Sequence, residues 1–267
     1  MPFAPVRDIQ MYYEIRGEGP RLLVIPGTGS DLRQSGSFFQ SPVAKDFEIL
    51  IFDPRGMGQT DKPDQPYSMQ EYAEDTHALL AYLGWDHVHV LGISFGGMIA
   101  QEYALHYPEE IDKLTLACTS SGGDGGPSFP IHNLPDEPLE SHVRRLLRIF
   151  DTRITDEWIQ NNERFWERKV QRMLERLSIG IDEPGHEAGK KRQLEARRDH
   201  DTFDRLPQLS MPIFLCGGLY DGAVPAANIH AIHKQIPHAQ LDFFEGGHLF
   251  LMEDLSAHKA IRNFFLA

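Results

Sequence analysis

An apolar run, Val88-His89-Val90-Leu91, passes through Gly92-Ile93-Ser94-Phe95-Gly96-Gly97 straight into a helical stretch, Met98–His106. A strand that gives way to a helix this abruptly forces the residue at the corner into strained backbone geometry. Glycines are needed on either side of it, because a β-carbon there would collide with neighbouring backbone. Such a turn belongs to strand–helix–strand units, whose parallel strands are buried on both faces and read as continuous apolar runs. Further runs of this kind are Ile9–Ile15, Leu22–Pro26, Glu48–Phe52, Leu114–Thr119, Ile213–Cys216 and Gln240–Phe244, alternating with helix-like stretches. The expected fold class is therefore α/β, with a mostly parallel, doubly wound sheet. Between the third and fourth strands, Ser68-Met69-Gln70-Glu71 is a capping box that opens a helix running to about Leu83 and ending at Gly84. His77 on that helix is expected to be a surface side chain.

One segment differs in kind. Ser120 to Pro138 is rich in Gly, Ser and Pro and reads as a departure from the core. Beyond it, Leu139–Phe150 carries Val143, Leu146, Leu147 and Phe150 at helical spacing. From Asp156 to about Leu177 the residues Trp158, Phe165, Trp166, Val170, Met173 and Leu177 do the same between charges. A charged stretch around Gly189 to Asp204 leads back. Residues 137–205 hold 15 basic and 15 acidic residues, so the whole net charge of -13 sits outside them. We read 1–120 and 206–267 as the core and 121–205 as a helical cap inserted into it. The acidic remainder argues against non-specific binding to nucleic acid or anionic membranes, both of which need clustered positive charge. Uncharged runs such as His87 to Gln101 fall short of the roughly 20 residues of a membrane-spanning helix. The N-terminus lacks a basic region leading into an apolar stretch, so no signal peptide is expected and the cytoplasm is the expected compartment. Cys118 and Cys216, the only cysteines, each lie in an apolar run and read as buried free thiols.

The chemistry starts at Ser94. A sharp turn lifts its hydroxyl clear of the sheet, and the helix behind it aims a positive N-terminal end at the same place. A serine hydroxyl is a poor nucleophile near neutral pH and needs a base, with a third group to orient that base. His248, in Glu245-Gly246-Gly247-His248-Leu249, follows the last strand; Asp221, in Gly217-Gly218-Leu219-Tyr220-Asp221, follows the strand before it. Both should emerge at the carboxyl edge of the sheet, where ligands gather in open α/β folds. The order Ser94, Asp221, His248 is the one expected of a serine hydrolase built on this turn. Asp124, in the Gly-rich departure after the fifth strand, is the rival to Asp221 as the orienting acid. An oxyanion hole also requires backbone N–H donors, assigned to Thr28 in Pro26-Gly27-Thr28-Gly29 and to Phe95, the residue after the serine. Among the 13 histidines, His106 suits a helix C-terminus, and His230, His233 and His238 suit one solvated helix face. None has ligand partners at metal-site spacing, so no metal site and no cofactor are expected.

Taken together these residues resemble the α/β-hydrolase fold superfamily, within the small-ester and lactone hydrolase branch that includes 3-oxoadipate enol-lactonases and carboxylesterases. The similarity covers about residues 9–120 and 206–266. It includes the turn at Pro26–Gly29, the Ser94 elbow, the Asp221 and His248 loops, and Asp53-Pro54-Arg55-Gly56-Met57-Gly58, which resembles the family's Asp-x-Arg-Gly-x-Gly segment. In the family that segment shapes the core, so Asp53 and Arg55 are read as structural. Where many relatives carry His-Gly, this chain has Pro26-Gly27. Ser94 sets it apart from haloalkane dehalogenases and epoxide hydrolases, which use aspartate at the elbow, and Phe95 stands where proline iminopeptidases usually show Trp. The resemblance implies hydrolysis of a small carboxylic ester or lactone through an acyl-enzyme. C–C bond hydrolysis of diketones, cofactor-free perhydrolase or haloperoxidase chemistry, hydroxynitrile lysis and a non-catalytic ligand receptor stay open beside it. Trp158, Phe165, Trp166 and Met173 are candidate pocket residues, with cap packing as the plainer explanation for each. The expected partner is a small-molecule ester or lactone, with no nucleic acid and no membrane; a homodimer is left open.

Overall fold

The computed structural model describes residues 2–267. Its strands are β1 (Phe3–Val6), β2 (Ile9–Arg16), β3 (Arg21–Ile25), β4 (Glu48–Phe52), β5 (Val88–Ile93), β6 (Ile111–Ala117), β7 (Ile213–Gly218) and β8 (Gln240–Phe244). They form one sheet in the order β1-β2-β4-β3-β5-β6-β7-β8, antiparallel at β1-β2 and β2-β4 and parallel from there on. β3 through β7 are almost wholly buried, as their continuous apolar runs require. β1 was not foreseen, because its four residues include Pro5. A proline cannot donate to a ladder, and it is tolerated here because β1 is the edge strand.

The order dictates where a site can form. The chain leaves β3 for β4 on one side, and β5 then pairs with the opposite side of β3, with Ile25 beside Gly92. This reversal opens a crevice beyond the carboxyl ends of β3 and β5. β6, β7 and β8 follow in parallel, so the loops after β3, β5, β7 and β8 all leave from the same edge.

The helices are α1 (Met69–Leu83), α2 (Phe95–His106), α3 (Leu139–Phe150), α4 (Asp156–Asn161), α5 (Glu163–Leu177), α6 (His186–Arg198), α7 (Ala226–Gln235), α8 (Phe250–Glu253) and α9 (Leu255–Leu266). α1 opens on the expected capping box: Ser68 Oγ accepts from Glu71 N–H and the Glu71 carboxylate accepts from Ser68 N–H. It closes on Gly84 in the left-handed conformation. α1, α2 and α7 cover one face of the sheet with residues such as Tyr72, Ile99, Tyr103 and Ile232. α9 covers the other through Ile261, Phe264 and Phe265, beside Val43 and Phe47. His77 is not a free surface group: its ring stacks on Tyr107 at 4.0 Å and its Nδ1 lies 2.7 Å from Glu110. Arg55, with no exposed surface, pairs with buried Asp75 and with half-exposed Asp8, consistent with the structural role expected for it.

α3 to α6 lie between β6 and β7 and hold an apolar cluster of their own, built from Val143, Leu147, Ile154, Trp166, Val170 and Met173. The long helix expected over Asp156–Leu177 is broken in two. Asn162 leaves helical geometry, with φ -132° and ψ 31°; its side chain donates to the carbonyl of Trp158, and its own carbonyl accepts from Phe165 and Trp166 N–H. Asparagine competes with helical hydrogen bonds in this way. Among the described residues no helix is long and apolar enough to cross a membrane.

Trp166 is 3% exposed and central to that cluster. Trp166→Ala is expected to cost about 3–5 kcal/mol of folding stability, measured as a lowered urea midpoint at unchanged slope.

Candidate active site

Ser94 occupies the corner between β5 and α2 with φ 55° and ψ -115°, a conformation that L-residues avoid at a cost of roughly 1–3 kcal/mol. The surroundings hold it there. Its N–H donates to Ala117 O of β6 at 2.9 Å, and its carbonyl accepts from Gly97 N–H and from Thr119 Oγ1. The flanking glycines are required by close approach: a β-carbon on Gly96 would stand 2.0 Å from Ile25 O, and one on Gly92 would stand 2.6 Å from Ala100 Cβ. α2 therefore begins hard against the end of β3.

The loops after β7 and β8 converge on this corner. His248 Nε2 lies 2.9 Å from Ser94 Oγ, and Nδ1 lies 2.7 Å from Asp221 Oδ2. The other carboxylate oxygen of Asp221 accepts from Ala223 and Val224 N–H, each at 2.8 Å. Both oxygens are committed and the side chain is fully buried, so the carboxylate cannot turn away from the imidazole. Asp124 instead sits in a short exposed 3-10 turn far along the chain from these contacts, with no hydrogen bond to His248. The His248 loop is fixed from the helical segment as well. His248 N–H donates to Phe150 O at the end of α3 (2.6 Å), and Gly247 packs so closely that a β-carbon there would stand 2.0 Å from the same oxygen. The Phe150 ring also packs against the imidazole, with centroids 5.0 Å apart.

Across the crevice, the backbone at Gly27 abuts the serine: a β-carbon on it would stand 3.6 Å from Ser94 Cβ. Phe95 is the first residue of α2, where helical geometry leaves the N–H without an intrahelical acceptor. Thr28 Oγ1 is buried without a partner beside it. The turn is held not from the sheet but by two glutamines that the sequence did not reveal. Gln193 Oε1, on α6 and fully buried, accepts from Gly29 N–H at 2.8 Å, and Gln34 Nε2 donates to Gly29 O at 3.1 Å.

These groups open onto a cavity of about 870 Å³ whose walls include Ser94, His248, Thr28, Phe150, Arg176 and Arg197. Of the four candidate pocket residues only Met173 lines it. Trp166 is enclosed in the α3–α5 cluster with the Arg144 guanidinium over its ring; Trp158 packs at the edge of that cluster; Phe165 is largely exposed beneath Arg168 and Lys169. The apolar stripe was real, but two of its residues pack the segment against itself and Phe165 points outward. Among the other histidines, His106 Nδ1 meets Glu102 O one turn back, and His233 and His238 meet the carbonyls of Ala239 and Met211. No group of three potential metal ligands occurs among the described residues. Both cysteines are buried and free, and burial pushes both thiols up.

A strained serine between strand and helix, in hydrogen-bond line with a histidine and a buried aspartate, is the arrangement of a hydrolytic α/β enzyme. The comparisons agree: the alpha/beta hydrolase fold model matches residues 20–255, and the chain belongs to that family. It is 30% identical over 236 residues to a poly(3-hydroxyalkanoate) depolymerase of Ectopseudomonas oleovorans, covering 86% of this chain and 78% of that one. It is 23% identical over 257 residues to 3-oxoadipate enol-lactonase 2 of Acinetobacter baylyi, covering 94% and 91%. Among solved structures, the enol-lactonase from Burkholderia xenovorans superposes with a TM-score of 0.80 over the full length of both chains at 20% identity, which speaks for the fold.

Asp53, at the end of β4, also borders the cavity and accepts from Leu32 and Gln59 N–H. Burial pushes its carboxyl up to about 7, opposed by the Gln59 N–H and reinforced by Asp31. A carboxyl raised on folding binds its proton more tightly in the native state, so its ionisation costs stability as pH climbs from the unfolded value through the folded one. The stability of wild type relative to Asp53→Asn is expected to decline between about pH 4 and 7, read as the difference in denaturant midpoint across that range.

Proposed function

We propose that the protein hydrolyses a small carboxylic ester or lactone by acyl transfer through Ser94. The observation that carries the reading is the unbroken line from Ser94 Oγ through His248 to Asp221, at 2.9 and 2.7 Å. Ser94 Oγ attacks the carbonyl carbon while Nε2 of neutral His248 takes the hydroxyl proton. Asp221 holds Nδ1–H, fixing the tautomer and stabilising the imidazolium. The tetrahedral oxyanion forms where the N–H groups of Thr28 and Phe95 converge, at the positive end of α2. Collapse expels the alcohol, which leaves with the proton from Nε2. A water molecule, deprotonated by the same nitrogen, then attacks the acyl-enzyme, and Ser94 departs with the proton restored. For a lactone the alcohol and the acid stay in one product.

Several supports are independent of one another. The family is one of hydrolases by its relatives' names, including a depolymerase and an enol-lactonase. The strain at Ser94 is of the kind that folds retain where an exposed nucleophile is needed. The cavity has the volume of a small-molecule site.

Intact mass after incubation with a fluorophosphonate tests the nucleophile. One phosphonyl adduct is expected on wild type and none on Ser94→Ala; unlabelled, folded wild type would refute an activated serine. Asp221→Asn is expected to keep the fold, by circular dichroism, and to lower kcat on a 4-nitrophenyl ester by about 10⁴-fold, because an amide holds the wrong tautomer. Retention of most activity would remove Asp221 from the mechanism.

A further inference from the structure

The acid and the base that face Ser94 stand on separate loops, one after β7 and one after β8. A single short stretch of the helical segment touches both. At the end of α3, two successive carbonyls press on the glycine beside each of these residues. A β-carbon on Gly222, next to Asp221, would stand 2.5 Å from Ile149 O, and one on Gly247, next to His248, would stand 2.0 Å from Phe150 O. Two residues beyond Phe150, Thr152 donates to the carbonyl of Tyr220, the residue before Asp221, through its N–H at 3.0 Å and its Oγ1 at 3.2 Å. Tyr220 N–H donates in turn to Gly246 O of the histidine loop at 2.9 Å. With the bond from His248 N–H to Phe150 O, these contacts close a ring through the acid loop, the histidine loop and the end of α3. The two carbonyls are one peptide apart, so the spacing of the loops follows that of a rigid covalent unit.

Arg153 spans the same two loops with its side chain. Its guanidinium lies over the Tyr220 ring, 4.4 Å from the centroid, and Nη1 reaches Glu245 Oε2 at 3.4 Å. Buried Asp151 fixes the plane of the fork, taking Nε at 2.9 Å and Nη2 at 2.7 Å, and takes Arg153 N–H as well. A lone surface ion pair scarcely offsets the entropy of holding a long side chain still. Here the buried carboxylate does the holding, and the orientation it sets is the one that meets a residue of each loop. Ile154, the next residue, is buried in the α3–α5 cluster and anchors the stretch on its far side.

We propose that residues 149–153 form a clasp that sets the register of the Asp221 loop against the His248 loop, and that Arg153 is a positioning residue for the proton transfers at His248. The inference rests on the hydrolase reading of Ser94 for its effect on rate, and on the Asp221–His248 contact alone for its effect on structure. Arg153 does not line the cavity, so its loss removes no substrate contact. What shifts is Nδ1 against Asp221 Oδ2 and, through the ring, Nε2 against Ser94 Oγ. Misplacement of that kind costs turnover rather than affinity.

Arg153→Met tests the clasp at a partly exposed position, where the fold tolerates the change. On a 4-nitrophenyl ester its kcat is expected to fall about threefold to tenfold with KM unchanged, and the rate of fluorophosphonate labelling should fall in proportion. Arg153→Lys, which keeps a cation over Tyr220, should recover part of the loss. Gly222→Ala, which forces the acid loop off Ile149 O, should lose about a hundredfold. In Arg153→Met and Gly222→Ala the downfield proton NMR signal of His248 Nδ1–H, held against Asp221, should broaden or move upfield. A merely structural arginine would lower the thermal midpoint while kcat, labelling rate and that signal stayed as in wild type, and this result in Arg153→Met would overturn the clasp. Wild type that shows the signal yet takes no fluorophosphonate and turns over no ester would overturn the hydrolase reading by itself. The signal then decides the clasp, which stands if the variants lose it and falls if they keep it.

Discussion

The site depends on how closely α2 meets the end of β3. With Gly96 against Ile25 O there is no slack between the helix and the neighbouring strand, so the serine before that helix must take a conformation it would otherwise avoid. The same contact brings the turn at Gly27 against Ser94 and leaves the N–H of Phe95 at an open helix end. The position of the proposed nucleophile, the proposed oxyanion donors and the dipole beside them all follow from one steric constraint. It is placed at the reversal of the strand order, where the parallel sheet leaves a crevice.

What surrounds that crevice divides by origin. Ser94, Asp221 and His248 stand on loops of the sheet, but two of those loops are secured from the helical segment. Phe150 O at the end of α3 takes His248 N–H, Tyr220 O in the acid loop takes Thr152 N–H, and Gln193 on α6 takes Gly29 N–H. Pro26, before the glycine of this turn, can make no side-chain hydrogen bond. Gln193 and Gln34 supply the support from elsewhere in the chain. The segment that walls the cavity is therefore also part of the frame that holds the loops after β3, β7 and β8.

The sheet was legible because buried parallel strands write themselves as unbroken apolar runs, and the elbow because only glycine tolerates the crowding around Ser94. The capping box fixed α1 to the residue. Less came through where a signal depends on partners distant in sequence. Asn162 looked like one more polar residue on a helix until its side chain was seen taking the Trp158 carbonyl. Trp158, Phe165 and Trp166 have the spacing of a buried face, yet spacing does not tell whether that face meets a cavity or another helix. Gln193 and Arg197 lie in a run rich in charge. Their one-turn spacing was visible, but nothing local said which side of α6 faced inward.

The hydrogen bonds from α3 and α6 give the helical segment a second kind of influence. Segments with few buried apolar contacts to the core open locally at lower free energy than the sheet beneath them. The cluster around Trp166 is small; Leu249, next to His248, packs against it, and Phe150 at the end of α3 holds His248 N–H. Local opening of that segment would therefore release the loop of His248 from its hydrogen bond to Phe150 while the sheet stays paired.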